Sequence, residues 1–239
     1  MVENNTKTVA IVLCGGRGSR MGSDIPKQYM TVKGFPLIYY SLKVFQESFI
    51  DEIVLVCGDG DQDYCRKEIV DKYDFSKVKK IVVGGQERYH SVTNGLRAID
   101  DCNVVFIHDG ARPFITDEIL SNALSETLKY GATVVAVPSK DTVKIANEED
   151  FAIETPKRDQ VYIVQTPQTF IYEDILSAYE KLAEVDDDIK KKGIVITDDA
   201  MVMELFGDHD VKFVKGSYKN IKITTPEDMI VAEAYLSCN

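Results

Sequence analysis

Short runs of β-branched and other apolar residues recur at 9–13, 53–57, 81–83, 104–107 and 133–137, with amphipathic stretches between them. The runs are nearly continuous in apolarity. A strand with one wet face alternates, whereas a strand covered on both faces does not. The intervening stretches carry helical stripes: Leu37, Tyr40, Ser41 and Val44 in one, Val92, Leu96 and Ile99 in another. Thr116-Asp117-Glu118 opens a further helix with a side-chain cap and acids in the first turn. Strand and helix in alternation predict an α/β fold: a doubly wound, mainly parallel, Rossmann-like sheet with right-handed crossovers.

The alternation stops after residue 137. Residues 139–160 are charged, with scattered apolar positions and Pro156. Some 20 structureless residues inside a compact domain are uncommon. The segment is read instead as an arm or hairpin leaving the core, with short strands at 142–145 and 151–154. The core pattern resumes at 161–164. A helix is predicted over 172–183, a charged connection over 184–193, and a helix capped by Thr197 running to Phe206. Strands are predicted at 211–214 and 221–224. Thr225-Pro226-Glu227-Asp228 supplies a cap, a proline at the first helical position and an acid three residues on, opening a last helix. The expectation is one domain over residues 1–239 with a protruding arm at about 139–160.

Composition narrows the partners. The 239 residues are 44% hydrophobic and carry a net charge of −11. That charge argues against a nucleic-acid backbone or an anionic membrane as partner. No apolar stretch approaches the ~18 residues of a membrane span, and residues 1–7 lack a signal-peptide core. The five cysteines, Cys14, Cys57, Cys65, Cys102 and Cys238, include no C-x-x-C pair, which fits reduced thiols and a cytoplasmic setting.

The chemistry concentrates after the first apolar run, in Leu13-Cys14-Gly15-Gly16-Arg17-Gly18-Ser19-Arg20-Met21-Gly22 and Pro26-Lys27-Gln28-Tyr29. Glycines let backbone approach a ligand, and successive N–H groups can form an anion-binding nest. Residues 13–34 hold four cations against one carboxylate, a local +3 that leaves −14 for the rest of the chain. A positive island in an acidic protein suits a polyphosphate. No Gly-Lys-Ser/Thr closes the loop as in a Walker A motif, and Met21 stands where the third glycine of G-x-G-x-x-G belongs. A plain strand-to-helix turn is the bland alternative.

This segment is similar to the nucleotide-binding signature of sugar and alditol nucleotidyltransferases. The chain as a whole resembles the 2-C-methyl-D-erythritol 4-phosphate cytidylyltransferase family of isoprenoid precursor biosynthesis. Beyond the loop, the resemblance rests on Gly84-Gly85 through Arg88, Ser91-Val92, His108-Asp109-Gly110-Ala111-Arg112-Pro113 and Lys140-Asp141-Thr142-Val143-Lys144. It continues in Arg158, Gln165-Thr166-Pro167-Gln168, Thr197-Asp198-Asp199-Ala200, Gly216, Asn220-Ile221-Lys222-Ile223-Thr224 and Pro226-Glu227-Asp228.

The resemblance implies attack by an alditol phosphate oxygen on the α-phosphorus of CTP, with pyrophosphate leaving and Mg²⁺ assisting. It implies that Arg20 and Lys27 are catalytic, stabilising charge on the α-phosphate. Cys14, Gly15, Gly16, Gly18, Gly84, Gly85 and Ser91 fall at nucleotide-binding positions. Asp109, Arg112, Thr142, Arg158, Thr166, Thr197 and Lys222 fall at substrate-binding positions, with Asp109 also on the metal side. Arg158 and Thr142 lie on the arm, which implies a homodimer with shared sites. A lone lysine is ordinarily a solvated one, Gly84-Gly85 an ordinary turn, and Thr197 only a cap; His108 is expected to pack or hydrogen-bond. Relatives acting on ribitol 5-phosphate tend to carry Ser-Val in place of Gly110-Ala111 and to lack Pro226-Glu227-Asp228. A dinucleotide oxidoreductase would want the third loop glycine and an acid ending the second strand, where Cys57-Gly58-Asp59-Gly60 is a weak match. A non-catalytic nucleotide-binding protein would be suggested by loss of Arg20 or Lys27, and both are present.

Overall fold

The computed structural model describes residues 6–16 and 25–237. The chain runs through β1 (Thr8–Cys14), the small pair β2 (Thr31–Val32) and β3 (Phe35–Pro36), α1 (Leu37–Glu47) and β4 (Glu52–Cys57). A short α2 (Gln62–Tyr64) continues into a π-helical segment, Cys65–Asp71, before β5 (Val78–Val83). Then come α3 (Arg88–Arg97), β6 (Val104–Asp109), α4 (Asp117–Tyr130) and β7 (Ala132–Pro138). The remainder is β8 (Ile145–Ala146), β9 (Ala152–Glu154), β10 (Tyr162–Ile171), α5 (Tyr172–Lys191), α6 (Asp199–Phe206), β11 (Lys212–Lys215) and α7 (Pro226–Ser237).

Seven strands form one sheet in the order β11-β7-β10-β6-β1-β4-β5. Only β10 runs against its neighbours, pairing antiparallel with both β6 and β7; the other ladders are parallel. The continuous apolarity of the central strands follows from helices on both faces. Ala10, Val12, Leu55 and Phe106 pack with Ile38, Leu42 and Phe45 of α1 and Leu120 of α4. Val9, Ile11, Val56 and Ile107 turn the other way, onto Val92 and Leu96 of α3 and Ile175, Tyr179 and Leu182 of α5. The two-residue side-chain period of a strand divides one apolar run between two cores. Each large side chain fully buried there contributes on the order of 1.5–3 kcal/mol.

The predicted strands and helices of the first 137 residues occupy their expected places, and Thr116 caps α4 by accepting the Ile119 N–H. Several expectations after residue 137 need correction. The helix beginning at Tyr172 does not stop near 183 but continues to Lys191, absorbing the charged connection. Its charges fit the macrodipole: Glu173 and Asp174 lie in the first turn, Lys190 and Lys191 in the last. Residues 221–224 form no strand; they make an irregular connection in which Ile223 is fully buried and its N–H donates to the Ala111 carbonyl at 2.9 Å. The cap of α6 is Asp198, whose carboxylate accepts the Met201 N–H at 3.0 Å, so Thr197 lies one residue outside the helix. In the 139–160 segment the first strand begins at Ile145, after Thr142, and β8 and β9 pair antiparallel as a hairpin. Among the described residues no helix is long and apolar enough to cross a membrane.

Candidate active site

The parallel strands β1, β4, β5 and β6 end on one side of the sheet, where open α/β folds bind ligands. A cleft there is lined by Cys14, Gly15 and Gly16 after β1, by Lys27, by Gly58 after β4, by Gly84, Gly85 and Ser91 after β5, and by Arg88, Asp109 and Lys222. A second hollow adjoins it, lined by Arg112, Thr166, Thr197 and Asp198, and again by Arg88, Asp109 and Lys222. The two spaces meet at one arginine, one aspartate and one lysine.

The glycine side of the cleft is built by close backbone approach. A Cβ on Gly15 would lie 3.1 Å from the Cys57 carbonyl group, and one on Gly85 only 2.3 Å from the His90 Cβ. The Gly84 N–H donates to the Cys57 carbonyl at 2.8 Å, and the Gly85 N–H to Ser91 Oγ at 3.0 Å. Ser91 is thereby held against the loop by α3, which is opened by a reciprocal capping box between Glu87 and His90. At Gly15, Gly84 and Gly85 main chain is thus presented to the cleft.

Lys27 sits on a single helical turn, Lys27–Tyr29, set by Pro26 at φ −53°. Gln28 donates to the Cys14 carbonyl, which ties this turn to the end of β1. Tyr29 donates to Asp61 Oδ2 at 3.1 Å. The Lys27 ammonium donates to the Ile223 carbonyl at 3.0 Å, so the turn also reaches the connection before α7.

Asp109, at the tip of β6, receives Arg88 Nε on Oδ1 at 3.2 Å and Lys222 Nζ on Oδ2 at 2.8 Å. Burial alone would push its carboxyl upward, but the Arg88 and Lys222 charges override that and hold it well below the usual carboxylate range. Arg88 turns its two terminal nitrogens to Asp199, with both contacts at 2.8 Å. Its neighbour His108 is fully buried. His108 Nε2 donates to the Arg112 carbonyl at 3.1 Å, and its Nδ1 accepts from Thr166 Oγ1 at 3.0 Å. Burial drives His108 down to about 4, so the ring is neutral, as this pairing requires. Thr166 in turn accepts the Asp109 N–H at 3.1 Å. Arg112 donates to the carbonyls of Asn220 and Val164 at 2.8 and 3.3 Å, clasping the connection before α7 to β10.

The structure therefore gathers Cys14, Gly15, Gly16, Lys27, Gly84, Gly85, Ser91, Asp109 and Lys222 around one cleft, and Arg112, Thr166 and Thr197 beside it. Gly18 and Arg20 lie outside the described residues. Thr142 and Arg158 line neither space; they meet each other in the 139–160 segment, Arg158 donating to Thr142 Oγ1 at 3.0 Å. Sequence reasoning gave no role to Arg88, Asp199 or Tyr179. Arg88 stood inside a quoted motif, and Asp199 is a charge placed against the apolar run Ala200-Met201-Val202-Met203.

An open, mainly parallel sheet with a glycine-built cleft lined by Lys27 and Lys222 is the arrangement expected of a nucleotidyltransferase of the α/β type. The family described as IspD, 2-C-methyl-D-erythritol 4-phosphate cytidylyltransferase, matches residues 8–238, and the chain belongs to that family. A relative of that name from Alkaliphilus oremlandii is 48% identical over 98% of this chain and 97% of its own. One from Clostridium botulinum is 48% identical over 97% of this chain and 98% of its own. A crystal structure of a 4-diphosphocytidyl-2C-methyl-D-erythritol synthase from Anaerococcus prevotii superposes with a TM-score of 0.83 at 36% identity, covering 97% of this chain and 96% of that one.

Proposed function

We propose that this chain transfers a cytidylyl group from CTP to 2-C-methyl-D-erythritol 4-phosphate, releasing pyrophosphate and forming 4-diphosphocytidyl-2-C-methyl-D-erythritol for isoprenoid precursor synthesis. The observation that carries the reading is the meeting of two spaces at Arg88, Asp109 and Lys222, one walled by main chain and Lys27, the other by Thr166, Thr197 and Arg112. CTP occupies the first, with its base against Gly84, Gly85 and Ser91 and its phosphates toward Gly15, Gly16 and Lys27. The alditol phosphate occupies the second.

An oxygen of the alditol phosphate forms a bond to the α-phosphorus, and the bond from that phosphorus to the bridging oxygen of the β-phosphate breaks. The attacking phosphate is already anionic, so no strong base is required. The barrier lies in bringing two polyanions together and in charge on the α-phosphoryl oxygens. Lys27 and Arg20 stabilise that charge, and Lys222 holds the attacking phosphate. Mg²⁺ bound to the triphosphate would neutralise phosphate oxygens. Asp109 would hold it: it lines both spaces, and its carboxylate has lone pairs beyond the two that Arg88 and Lys222 engage. The chain's own residues supply the rest by position.

The β8–β9 hairpin reaches a second copy of the chain, bringing Thr142 and Arg158 to the partner's acceptor phosphate. Exposed Phe151 and Ile153 on that hairpin support such a contact, being 66% and 65% accessible in the lone subunit. The test is pyrophosphate release from CTP with Mg²⁺, comparing 2-C-methyl-D-erythritol 4-phosphate with ribitol 5-phosphate. Turnover with the first alcohol is expected, and a preference for the second would overturn the reading.

A further inference from the structure

The three groups at the junction depend on a residue that lines neither space. Asp199 is fully buried at the start of α6. Its two oxygens take both terminal nitrogens of Arg88, and its Oδ1 also accepts the Tyr179 hydroxyl at 2.6 Å. Tyr179 is itself 1% accessible, on the face of α5 turned to the core. Asp199 is thus fixed by a helix start on one side and a buried phenol on the other. Burial drives the Tyr179 hydroxyl, together with the neighbouring Asp199 charge, well above its ordinary range, so it remains a donor.

An arginine can grip a carboxylate with two parallel N–H bonds. Here that grip is turned to Asp199, and Asp109 is met by Arg88 Nε, at 3.2 Å. Asp109 Oδ2 is left for Lys222 at 2.8 Å. Were Asp199 uncharged, Arg88 would be a half-buried cation with Asp109 as its remaining carboxylate partner. It would turn its fork to Asp109, take both oxygens and displace Lys222.

Building on the functional reading above, we propose that Asp199 is a positioning residue: by occupying the fork of Arg88 it leaves Asp109 free to orient Lys222 toward the acceptor phosphate. Tyr179 holds Asp199 in that posture. The larger effect falls on the alditol phosphate, because Lys222 is the group displaced; Arg88, Asp109 and Lys222 also border the space given to CTP, but the cytosine end of that space is built from the main chain of Gly84 and Gly85.

The kinetic test is Asp199→Asn, which keeps the shape and removes the charge. The KM for the alditol phosphate is expected to rise about tenfold, the weight of one charge-assisted hydrogen bond, with the KM for CTP changed less than about twofold. Asp199→Glu restores part of the loss, and Tyr179→Phe shifts the same KM in the same direction by less. A purely structural role would lower the melting temperature and the active fraction while leaving both KM values alone, and that outcome overturns the proposal. If Asp199→Asn does not fold, the KM split in Tyr179→Phe decides the matter. A crystal structure of whichever variant folds reads the relay without turnover. Arg88 should engage both Asp109 oxygens with Lys222 withdrawn, more completely in Asp199→Asn than in Tyr179→Phe. Unchanged Arg88–Asp109 and Lys222–Asp109 distances would sink the inference even if the wild type proves active, whereas an inactive wild type would sink the functional reading alone.

Discussion

Lys222 Nζ lies 2.8 Å from Asp109 Oδ2, joining the irregular connection before α7 to the tip of β6. The Lys222 side chain is 37% accessible and that of Asp109 11%, so the lysine keeps an open side toward solvent while its partner anchors it. A cation held this way can accept a phosphate without being reoriented. Lys222→Ala should therefore raise the KM for the alditol phosphate by about 10–100-fold, as loss of a charge-assisted contact does, while CTP binding by calorimetry stays close to wild type. Equal weakening of both ligands would contradict the assignment.

Lys27 should behave differently. Its charge is needed most when the α-phosphoryl oxygens bear added charge, so Lys27→Ala is expected to lower kcat by about 10²–10³-fold, with a circular dichroism spectrum like that of wild type. Pre-steady-state release of pyrophosphate measures the chemical step. A kcat within about twofold of wild type would remove Lys27 from the mechanism.

His108 sets an acid limit on stability. Its folded value, about 4, lies below the ordinary 6.5. The unfolded chain therefore takes up a proton between those values while the native ring does not. Its contribution is fully present above pH 6.5 and is lost as the pH falls toward 4, on the order of 3 kcal/mol in all. Urea midpoints measured across that window should fall with acid, and His108→Gln should flatten the slope. Asp109 adds its own loss only below the ordinary carboxylate range, since its folded value is depressed.

Gly85 admits no side chain without displacing His90, whose Cβ is 2.3 Å from the position a Gly85 Cβ would take. Gly85→Ala should shift the loop and break the Gly85 N–H to Ser91 bond. CTP affinity is expected to fall by about tenfold, with the acceptor KM little changed. Calorimetric titration with CTP checks this.

The arm reading predicts complementation. Arg158→Ala and Lys27→Ala, each nearly inactive alone, should recover roughly a quarter of wild-type activity when mixed after reversible dissociation. Half the dimers are then mixed, and one of the two sites in each carries both intact residues. No recovery in a mixture shown to exchange subunits would place Arg158 outside the shared site.

What the sequence disclosed and withheld follows from the range of the forces involved. The central strands were legible because residues such as Val9 through Leu13 state their burial locally. Residues 221–224 were misread because their apolar alternation is genuine: Ile223 is buried and Lys222 lines the cleft, yet the Ile223 N–H goes to the Ala111 carbonyl in a loop and no ladder forms. The cap of α6 was misplaced by one residue because Thr197 and Asp198 are both good caps, and Gln168, far away in sequence, favours the second by donating to Asp198 at 2.9 Å. The cleft glycines and Lys27 were legible through their resemblance to a family. The Asp199–Arg88 grip was not, since its partners are 111 residues apart and the packing of both α3 and α6 against α5 brings them together.

The reversed direction of β10 has a consequence for how such a chain can change. Tyr162 pairs with Pro138, and the Ser139 N–H donates to the Val161 carbonyl at 2.8 Å, so the hairpin leaves and re-enters the sheet at adjacent points. Everything between those points is a closed detour, clipped off at its base like a drawstring. Its tip, at β8 and β9, can be lengthened or shortened without altering the strands beneath. The same base lies two residues from Val164, whose carbonyl holds Arg112. On the arm reading, contact with a second copy can drift at the hairpin tip, while Thr142, Arg158 and the rim stay under the control of the reaction.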